Sequence, residues 1–329
     1  MSSTDERRGT TVADSIAPGA NLVGADLTGA DLRGRDLSRA DLSDALLEGA
    51  DLTEARLTGA TLAGARLAGA RLERAQMLGA DLTGADLTEV KASGVGLGGA
   101  KLVDATLFGA DLADATLSHA DLRGADLRVV NLRGARLRDT SLVGADFARS
   151  DLTGADLTHA DVDGASFREA DLSQSRLKGL TGYTTADWIG VDVFGADYTG
   201  AYLARRAIMD QNYLYEFRNQ SRLNALIYRI WWLTSDCGRS FVRWGLWTAV
   251  VGLLFALVYT FVPVDFGPNP TVLSPIYFSV VTLTTLGYGD VLPASTTAQV
   301  IVMIQVVMGY VMLGGLLSIF AAKMGRRAE

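Results

Sequence analysis

Apolar residues recur at every fifth position through the first half of the chain. The series begins at Leu22 and runs without a break to Leu177, which makes 32 consecutive five-residue repeats. Two residues before each apolar position, Ala occupies 25 of the 32 places, so two positions of each repeat are restricted. A period of five fits neither the 3.6-residue period of a helix nor the two-residue period of a strand. Such repetition predicts a solenoid, in which each repeat buries its apolar face against its neighbours.

The repeated pattern, A-[DN]-L-x-x, resembles that of the pentapeptide-repeat family. The resemblance implies a right-handed quadrilateral β-helix over residues 20–203, with four repeats to a coil and with Leu and Ala pointing inward. A second apolar series at the same spacing is shifted by one residue: Trp188, Val193, Tyr198 and Leu203. The shift predicts a bulge near Gly182 and a ninth coil, whose large side chains cap the end of the solenoid.

Two long apolar runs near the C-terminus predict membrane spans. The first run, residues 244–264, contains no charged residue and would be roughly 31 Å long as a helix. The second run is residues 298–322. Between them, residues 275–284 are apolar but too short to cross a membrane, which predicts a re-entrant pore helix. We expect the Ser274 hydroxyl to accept from a free amide at its start. The non-helical residues 285–290 at this depth would then line a water-filled path.

The distribution of basic residues predicts the orientation of these spans. Residues 244–322 contain no Lys or Arg, whereas residues 204–243 contain seven Arg, and Lys323, Arg326 and Arg327 follow the second run. The positive-inside rule therefore predicts a multi-pass protein of the plasma or inner membrane, with both termini in the cytoplasm. Residues 204–243 would form a cytoplasmic linker with an interfacial helix.

Four tryptophans near the first span have two equally good interpretations. They could form an aromatic belt at the membrane surface, or they could pack between helices: Trp231, Trp232, Trp244 and Trp247.

Composition excludes several classes of function. The formal net charge of −7 is too mild to indicate a nucleic-acid partner, and none is expected. Cys237 is the single cysteine, which rules out an intrachain disulfide framework. No clustered nucleophile, base or phosphate loop is present, so we expect no enzyme, no catalytic residue, no cofactor and no resident metal. Residues 1–19 are polar, and we expect them to form a disordered leader.

Residues 284–290, with the sequence TTLGYGD, resemble the selectivity filter of two-transmembrane-span potassium channels, T-x-G-[YF]-G. The resemblance implies a homotetramer in which backbone carbonyl oxygens replace the hydration shell of potassium. Gly287 and Gly289 lack a Cβ and can adopt the positive φ that turns successive carbonyls to the same side. The implied ion-binding residues are Thr285, Leu286, Gly287, Tyr288 and Gly289, with the Thr285 hydroxyl at the inner end. The pore domain would span residues 244–329.

Further site residues follow from the same resemblance. Filter support is expected from Asp290, Tyr277 and Phe278, with both rings packed around Tyr288 and with Tyr277 donating to Asp290. Gly309 is expected to be a gating hinge, and close helix packing is the alternative. One stripe of the second span would line the inner pore: Tyr310, Gly314, Leu317 and Ala321.

The sequence therefore predicts a mixed multidomain protein, a β-helix followed by an all-α pore domain that conducts potassium within the lipid bilayer. The role of the repeats, whether regulatory, assembly or localisation, is open, as is an unidentified cytoplasmic partner. An alternative is a membrane-anchored pentapeptide-repeat scaffold or DNA-mimic inhibitor. An anchor needs neither a re-entrant helix nor the filter glycines. A sodium-selective or nonselective channel is a nearer alternative.

Overall fold

The computed structural model describes residues 17–325, with side chains up to Ala321. The expected leader at residues 1–19 therefore lies almost entirely outside the described residues, as do the side chains of the basic residues after the second span. The chain divides into two compact units, of which the N-terminal unit ends at Tyr215 and the C-terminal unit begins at Glu216.

The N-terminal unit is built from parallel backbone pairing between residues 20 positions apart. Asn21 pairs with Asp41, and Asp41 pairs in turn with Thr61. Four five-residue repeats thus complete one coil. Leu and Ala of the repeat fill the interior, and Leu42 and Ala45 are fully buried. The predicted quadrilateral β-helix is confirmed.

Each repeat turns the chain by one corner. The N–H of Ala25 donates to the carbonyl of Leu22 at 3.0 Å, and Gly24 between them has a φ of +63°. A positive φ at this position is typical of a type II turn. The Asp of the pattern also has a local role, because Asp41 Oδ1 accepts from the Ser43 hydroxyl at 2.6 Å and from its N–H at 3.1 Å. Both hydrogen bonds hold the pKa of the Asp41 carboxyl below its usual value.

The predicted bulge near Gly182 is confirmed. Asp161 pairs with Thr181 at the regular spacing of 20, whereas Ser166 pairs with Asp187, one residue further on. Gly182 sits at this insertion with a φ of +71°, and a Cβ there would lie 2.6 Å from the Asp163 Cα. The extra residue therefore needs glycine for both its backbone conformation and its space.

Large aromatic rings fill the interior near the C-terminal end of the β-helix. Phe147 stacks on Phe167 with centroids 5.0 Å apart, and Phe167 stacks on Trp188 at 4.6 Å. The chain then enters helix α1, Tyr202–Gln220. The predicted boundary at residue 203 is therefore too late, and Leu203 lies in α1 with 47% exposure instead of pointing into a coil.

Helix α1 closes the end of the β-helix by supplying polar groups that a further coil would otherwise provide. Gln211 Oε1 accepts from the N–H of Trp188 at 2.5 Å, and Asn212 Nδ2 donates to the Trp188 carbonyl at 2.9 Å. Asn212 Oδ1 also accepts from the N–H of Gly190 at 2.7 Å. Because unpaired backbone groups at a buried end are costly, these amides stabilise the last coil. Part of the predicted linker at residues 204–243 is thus a cap.

The C-terminal unit contains helices connected by short turns. The elements that follow α1 are α2 (Arg222–Ser235), α3 (Phe241–Tyr259), β1 (Val264–Asp265), α4 (Ser274–Leu283), β2 (Leu292–Pro293) and α5 (Thr296–Gly325). Strands β1 and β2 pair antiparallel. Helices α3 and α5 are long and apolar enough to cross a membrane.

The first predicted span differs from α3 at both ends. The prediction covered residues 244–264, whereas α3 begins at Phe241, where the Ser240 hydroxyl accepts from the N–H of Arg243 at 3.2 Å. It ends at Tyr259, four residues before Pro263, whose carbonyl accepts from the N–H of Ala294 at 3.2 Å. The last residues of the apolar run therefore lead into the strand pair instead of extending the helix.

Candidate ion pore

Helix α4 is a short apolar helix packed against α3 and α5. Its ten residues bury five side chains: Phe278, Ser279, Val281, Thr282 and Leu283. The expected cap at Ser274 is wrong in detail. Leu273 precedes the helix without a side-chain cap, and the Ser274 hydroxyl accepts from the N–H of Thr271 at 2.8 Å, ahead of the helix. Pro275 lies in the first turn, where its missing N–H costs nothing.

The backbone after α4 alternates between two conformations. Thr285, Gly287 and Gly289 have φ values of +58°, +52° and +77°, whereas Leu286 and Tyr288 between them are not in the positive-φ region. A positive φ at a β-branched residue such as Thr285 is an uncommon, strained conformation. The positive φ expected at Gly287 and Gly289 is therefore present, and Thr285 shares it.

Residues 285–290 are exposed on the single chain. They remain attached to α4 at their start, because the N–H of Leu286 donates to the Val281 carbonyl at 3.0 Å. The Thr285 hydroxyl donates to the carbonyl of Thr284 at 2.7 Å. The start of the segment is therefore held by hydrogen bonds to α4 and to Thr284, while its residues remain exposed on the single chain.

Among the contacts expected to support the filter, the hydrogen bond from Tyr277 to Asp290 is present, whereas the Phe278 ring contacts other residues than expected. The Tyr277 hydroxyl donates to Asp290 Oδ2 at 2.7 Å, which joins α4 to the far end of the exposed segment. The Phe278 ring contacts the rings of Tyr259 and Phe266, with centroids 4.8 and 6.4 Å away. The expectation that Phe278 packs around Tyr288 is therefore not met by its described ring contacts, because its ring faces α3 and the loop after β1.

Gly309 lies against the C-terminal end of α4. A Cβ at Gly309 would overlap the carbonyl oxygen of Leu283 and lie 3.0 Å from its carbonyl carbon. Helix α5 runs without interruption from Thr296 to Gly325. The alternative of close helix packing thus has a direct structural basis at Gly309, while its role as a gating hinge stays a prediction.

The predicted lining stripe is exposed in the C-terminal half of α5: Tyr310, Gly314, Leu317 and Ala321. The opposite face contacts α3, where the Trp244 indole N–H donates to the Met312 carbonyl at 2.7 Å. A Cβ at Gly315 would overlap this indole ring. Packing between helices therefore accounts for Trp244, and Trp247 likewise donates to the Leu233 carbonyl at 3.2 Å.

Sequence reasoning missed three buried polar residues: Tyr259, Ser279 and Gln305. They join α3, α4 and α5 by hydrogen bonds, and Gln305 is fully buried. The signal was present, because Gln305 is the one amide side chain among residues 300–322. Amide side chains within apolar spans usually hydrogen-bond across helices.

Two protein families match the chain in separate segments. Pentapeptide repeats match residues 8–44, 36–74, 50–88, 93–128, 131–168 and 140–179, which together cover about half of the chain. The ion channel family matches residues 244–326. No curated protein matches the chain.

Solved structures similar to the chain include pentapeptide-repeat proteins. HetL, involved in heterocyst differentiation regulation in the cyanobacterium Nostoc sp. strain PCC 7120, is 33% identical over 53% of this chain and 87% of its own, with a TM-score of 0.46. Full-length QnrB1, a plasmid-mediated fluoroquinolone resistance protein, is 22% identical over 56% of this chain and 96% of its own, with a TM-score of 0.44. A thylakoid lumen protein of Arabidopsis thaliana is 35% identical over 31% of this chain and 71% of its own, with a TM-score of 0.31. The family matches assign two separate segments: the chain belongs to the pentapeptide-repeat family and carries an ion channel domain in its C-terminal unit.

Proposed function

We propose that the chain is one subunit of a homotetrameric, potassium-selective channel. The observation that carries the proposal is the alternating positive φ at Thr285, Gly287 and Gly289, directly after a short apolar helix held between two helices of membrane-spanning length. A stretch of non-helical backbone at membrane depth needs a water-filled path or protein around it. Four copies of this segment around one axis would supply both.

The ligands for potassium would be backbone carbonyl oxygens of the filter. Successive carbonyls of Thr285 to Tyr288 would face the axis and replace the water lost by the ion, and Gly289 would close the segment. The C-terminus of α4 ends two residues before Thr285. Its negative dipole end would favour a cation in the cavity beneath the filter.

The exposed stripe of α5 would line the inner pore in this assembly. Tyr310, Gly314 and Leu317 lie away from α3 and α4, so that face is available to an aqueous cavity or to neighbouring subunits. The outward apolar faces of α3 and α5 would contact the lipid bilayer of the plasma or inner membrane. Both termini would be cytoplasmic, as the basic flanks predict.

The β-helix would then lie in the cytoplasm with the N-terminus. Its tightly filled Leu and Ala interior leaves the outer faces for any partner. A regulatory, assembly or localisation role is therefore compatible with the same fold, and so is an unidentified cytoplasmic partner.

Ion flux in liposomes tests the proposal. Full-length protein reconstituted with potassium inside and sodium outside should carry potassium flux that sodium cannot replace. Equal flux of both ions would favour a nonselective channel. A tetramer, or any other oligomer, that inserts into the bilayer but carries no flux would favour the membrane-anchored scaffold or DNA-mimic inhibitor.

A further inference from the structure

Three polar side chains form a closed cluster among the apolar helices of the C-terminal unit. Tyr259, Ser279 and Gln305 are each at most 1% exposed. Gln305 Nε2 donates to Ser279 Oγ at 2.7 Å and to the Ser279 carbonyl at 3.0 Å. Gln305 Oε1 accepts from the Tyr259 hydroxyl at 2.6 Å. The Ser279 hydroxyl donates in turn to the Gly252 carbonyl at 2.6 Å, so the cluster joins α3, α4 and α5.

The cluster satisfies the polar groups of the Gln305 side chain. Both amide hydrogens have an acceptor and the amide oxygen has one donor, so three of the four hydrogen bonds that a glutamine side chain can make are formed. A glutamine without partners would be strongly unfavourable in this surrounding. Any rotation of α4, or any sliding of α4 along α5, would separate Gln305 from Ser279. The hydrogen bonds therefore favour one rotation and one height of α4.

A second contact lies one helical turn further along both helices. Gln305 meets Ser279, and four residues later in each helix Gly309 meets the carbonyl of Leu283. The equal spacing means that α4 and α5 run in the same direction here and stay in register over one turn. Leu283 is the last residue of α4, two residues before Thr285. The register of α4 against α5 thus sets where the exposed segment begins.

We propose that Gln305 is a positioning residue for the filter, acting through α4 without contacting the ion. Through Ser279 and Tyr259 it fixes the pore helix against the two spans, and Gly309 lets the end of α4 approach α5 closely. Movement of α5 would be transmitted to the start of the filter by the same contacts. The inference rests on the proposed channel function for its ion-related consequences, whereas the clamping of α4 stands independently.

Three variants of the full chain separate this role from general packing. Gln305→Met keeps an unbranched side chain of similar size but removes every hydrogen bond of the amide. Tyr259→Phe removes only the hydroxyl that donates to Gln305. Val302→Ala is the matched control. Val302 also lies in α5 and packs against buried Tyr259, Phe278 and Val291, but its side chain makes no hydrogen bond that the substitution could remove.

Two measurements are made on each variant after size-exclusion chromatography has shown an unchanged oligomer. The first is the potassium-to-sodium permeability ratio in liposomes. The second is hydrogen exchange of the α4 amides by mass spectrometry. We expect Gln305→Met to lower the ratio and to speed α4 exchange roughly threefold to twentyfold, the range for interhelical hydrogen bonds in membranes. Tyr259→Phe should do the same more weakly, and the double variant should do no more than Gln305→Met, because the two groups share one hydrogen bond.

The outcomes distinguish the inference from the proposed function. If Gln305→Met and Tyr259→Phe keep both the wild-type ratio and wild-type exchange, or if Val302→Ala has an equal effect, Gln305 does not position α4. If the unmodified protein carries no selective potassium flux, the proposed function fails, and hydrogen exchange alone then decides whether Gln305 holds α4. If Gln305→Met does not fold, Ser279→Ala and Tyr259→Phe supply the same two readouts.

Discussion

The two units use the same backbone conformation for different purposes. In the β-helix, a φ near +60° recurs at every corner, and it is adopted by Gly84 and equally by Arg39 and Glu54. In the C-terminal unit, three residues of the short segment after α4 have a positive φ: Thr285, Gly287 and Gly289. A corner faces solvent and is one of many, so a side chain there adds only local strain. In the proposed filter, the carbonyl direction that follows from φ is the functional feature.

This difference extends to the packing of each unit. Leu57 and Leu97 make equivalent contacts in different coils, and both are buried. Losing one of them affects its own coil and the two beside it. Gln305, Gly309 and Tyr277 make contacts that occur once per chain. Redundancy therefore protects the β-helix, whereas the C-terminal unit depends on individual residues.

The largest effect is expected from Gly289→Ala, compared with Gly84→Ala. Both glycines have positive φ, +77° and +65°, and neither has an atom within 4 Å of an added Cβ. The local strain is therefore similar, about 1–2 kcal/mol per residue. Gly289→Ala should abolish potassium flux in liposomes while the oligomer remains intact. Gly84→Ala should leave flux unchanged. Normal flux in Gly289→Ala would contradict the filter assignment.

A smaller but definite effect is expected from Gly309→Ala. The added Cβ would overlap the Leu283 carbonyl, so the end of α4 must move. We expect reduced flux together with a lower potassium-to-sodium permeability ratio, because Thr285 follows two residues after Leu283. Gly245→Ala in α3 is the control, since nothing lies within 4 Å of its added Cβ and the residue has no place in the proposed pore.

The Gly309 result also separates packing from hinge. Single-channel recordings could show that Gly309→Ala lowers the open probability but keeps the wild-type permeability ratio. A gating hinge would then be the better explanation, and the contact between α5 and the end of α4 would tolerate the added methyl group. Equal effects of Gly309→Ala and Gly245→Ala would remove any special role from Gly309.

The β-helix should respond to Leu102→Ala with a change in stability and none in conduction. Leu102 is fully buried, and truncating a buried leucine to alanine typically costs about 2–5 kcal/mol. Thermal unfolding followed by circular dichroism should show a lower transition for the β-helix, whereas Val103→Ala on the outer face should stay within about 0.5 kcal/mol. A lower potassium-to-sodium permeability ratio in Leu102→Ala would show that the two units are coupled more closely than their separate folds require.

The sequence predicted most of the β-helix because each coil repeats the same physical choice. The five-residue period and the one-residue insertion near Gly182 followed from spacing, and the interior positions followed from the resemblance to the pentapeptide-repeat family. The cap by α1 could not be predicted in this way, because Gln211 and Asn212 lie in a helix outside the period and bind backbone groups of the last coil.

In the C-terminal unit, local features were predictable and contacts between helices were not. The short helix, the positive φ of Gly287 and Gly289, and the hydrogen bond from Tyr277 to Asp290 followed from motif and composition. The ring contacts of Phe278 and the close approach of Gly309 to Leu283 depend on how α4 lies against α3 and α5. No periodic pattern specifies that arrangement.

The smallest effect on selectivity is expected from removing the entire N-terminal unit. The deletion should cover residues 1–220, because Ala204 and Ile208 of α1 are buried with the β-helix, and a truncation inside α1 would expose them. The shortened chain would begin at Ser221, whose hydroxyl accepts from the N–H of Asn224 at 3.0 Å and so still caps α2. All the proposed permeation residues lie beyond this point. The potassium-to-sodium permeability ratio should therefore equal that of the full chain, while open probability and oligomer yield report on the repeats. A folded oligomer that has lost its selectivity would contradict the separation of roles between the two units. An unchanged open probability would favour localisation over regulation as the role of the β-helix.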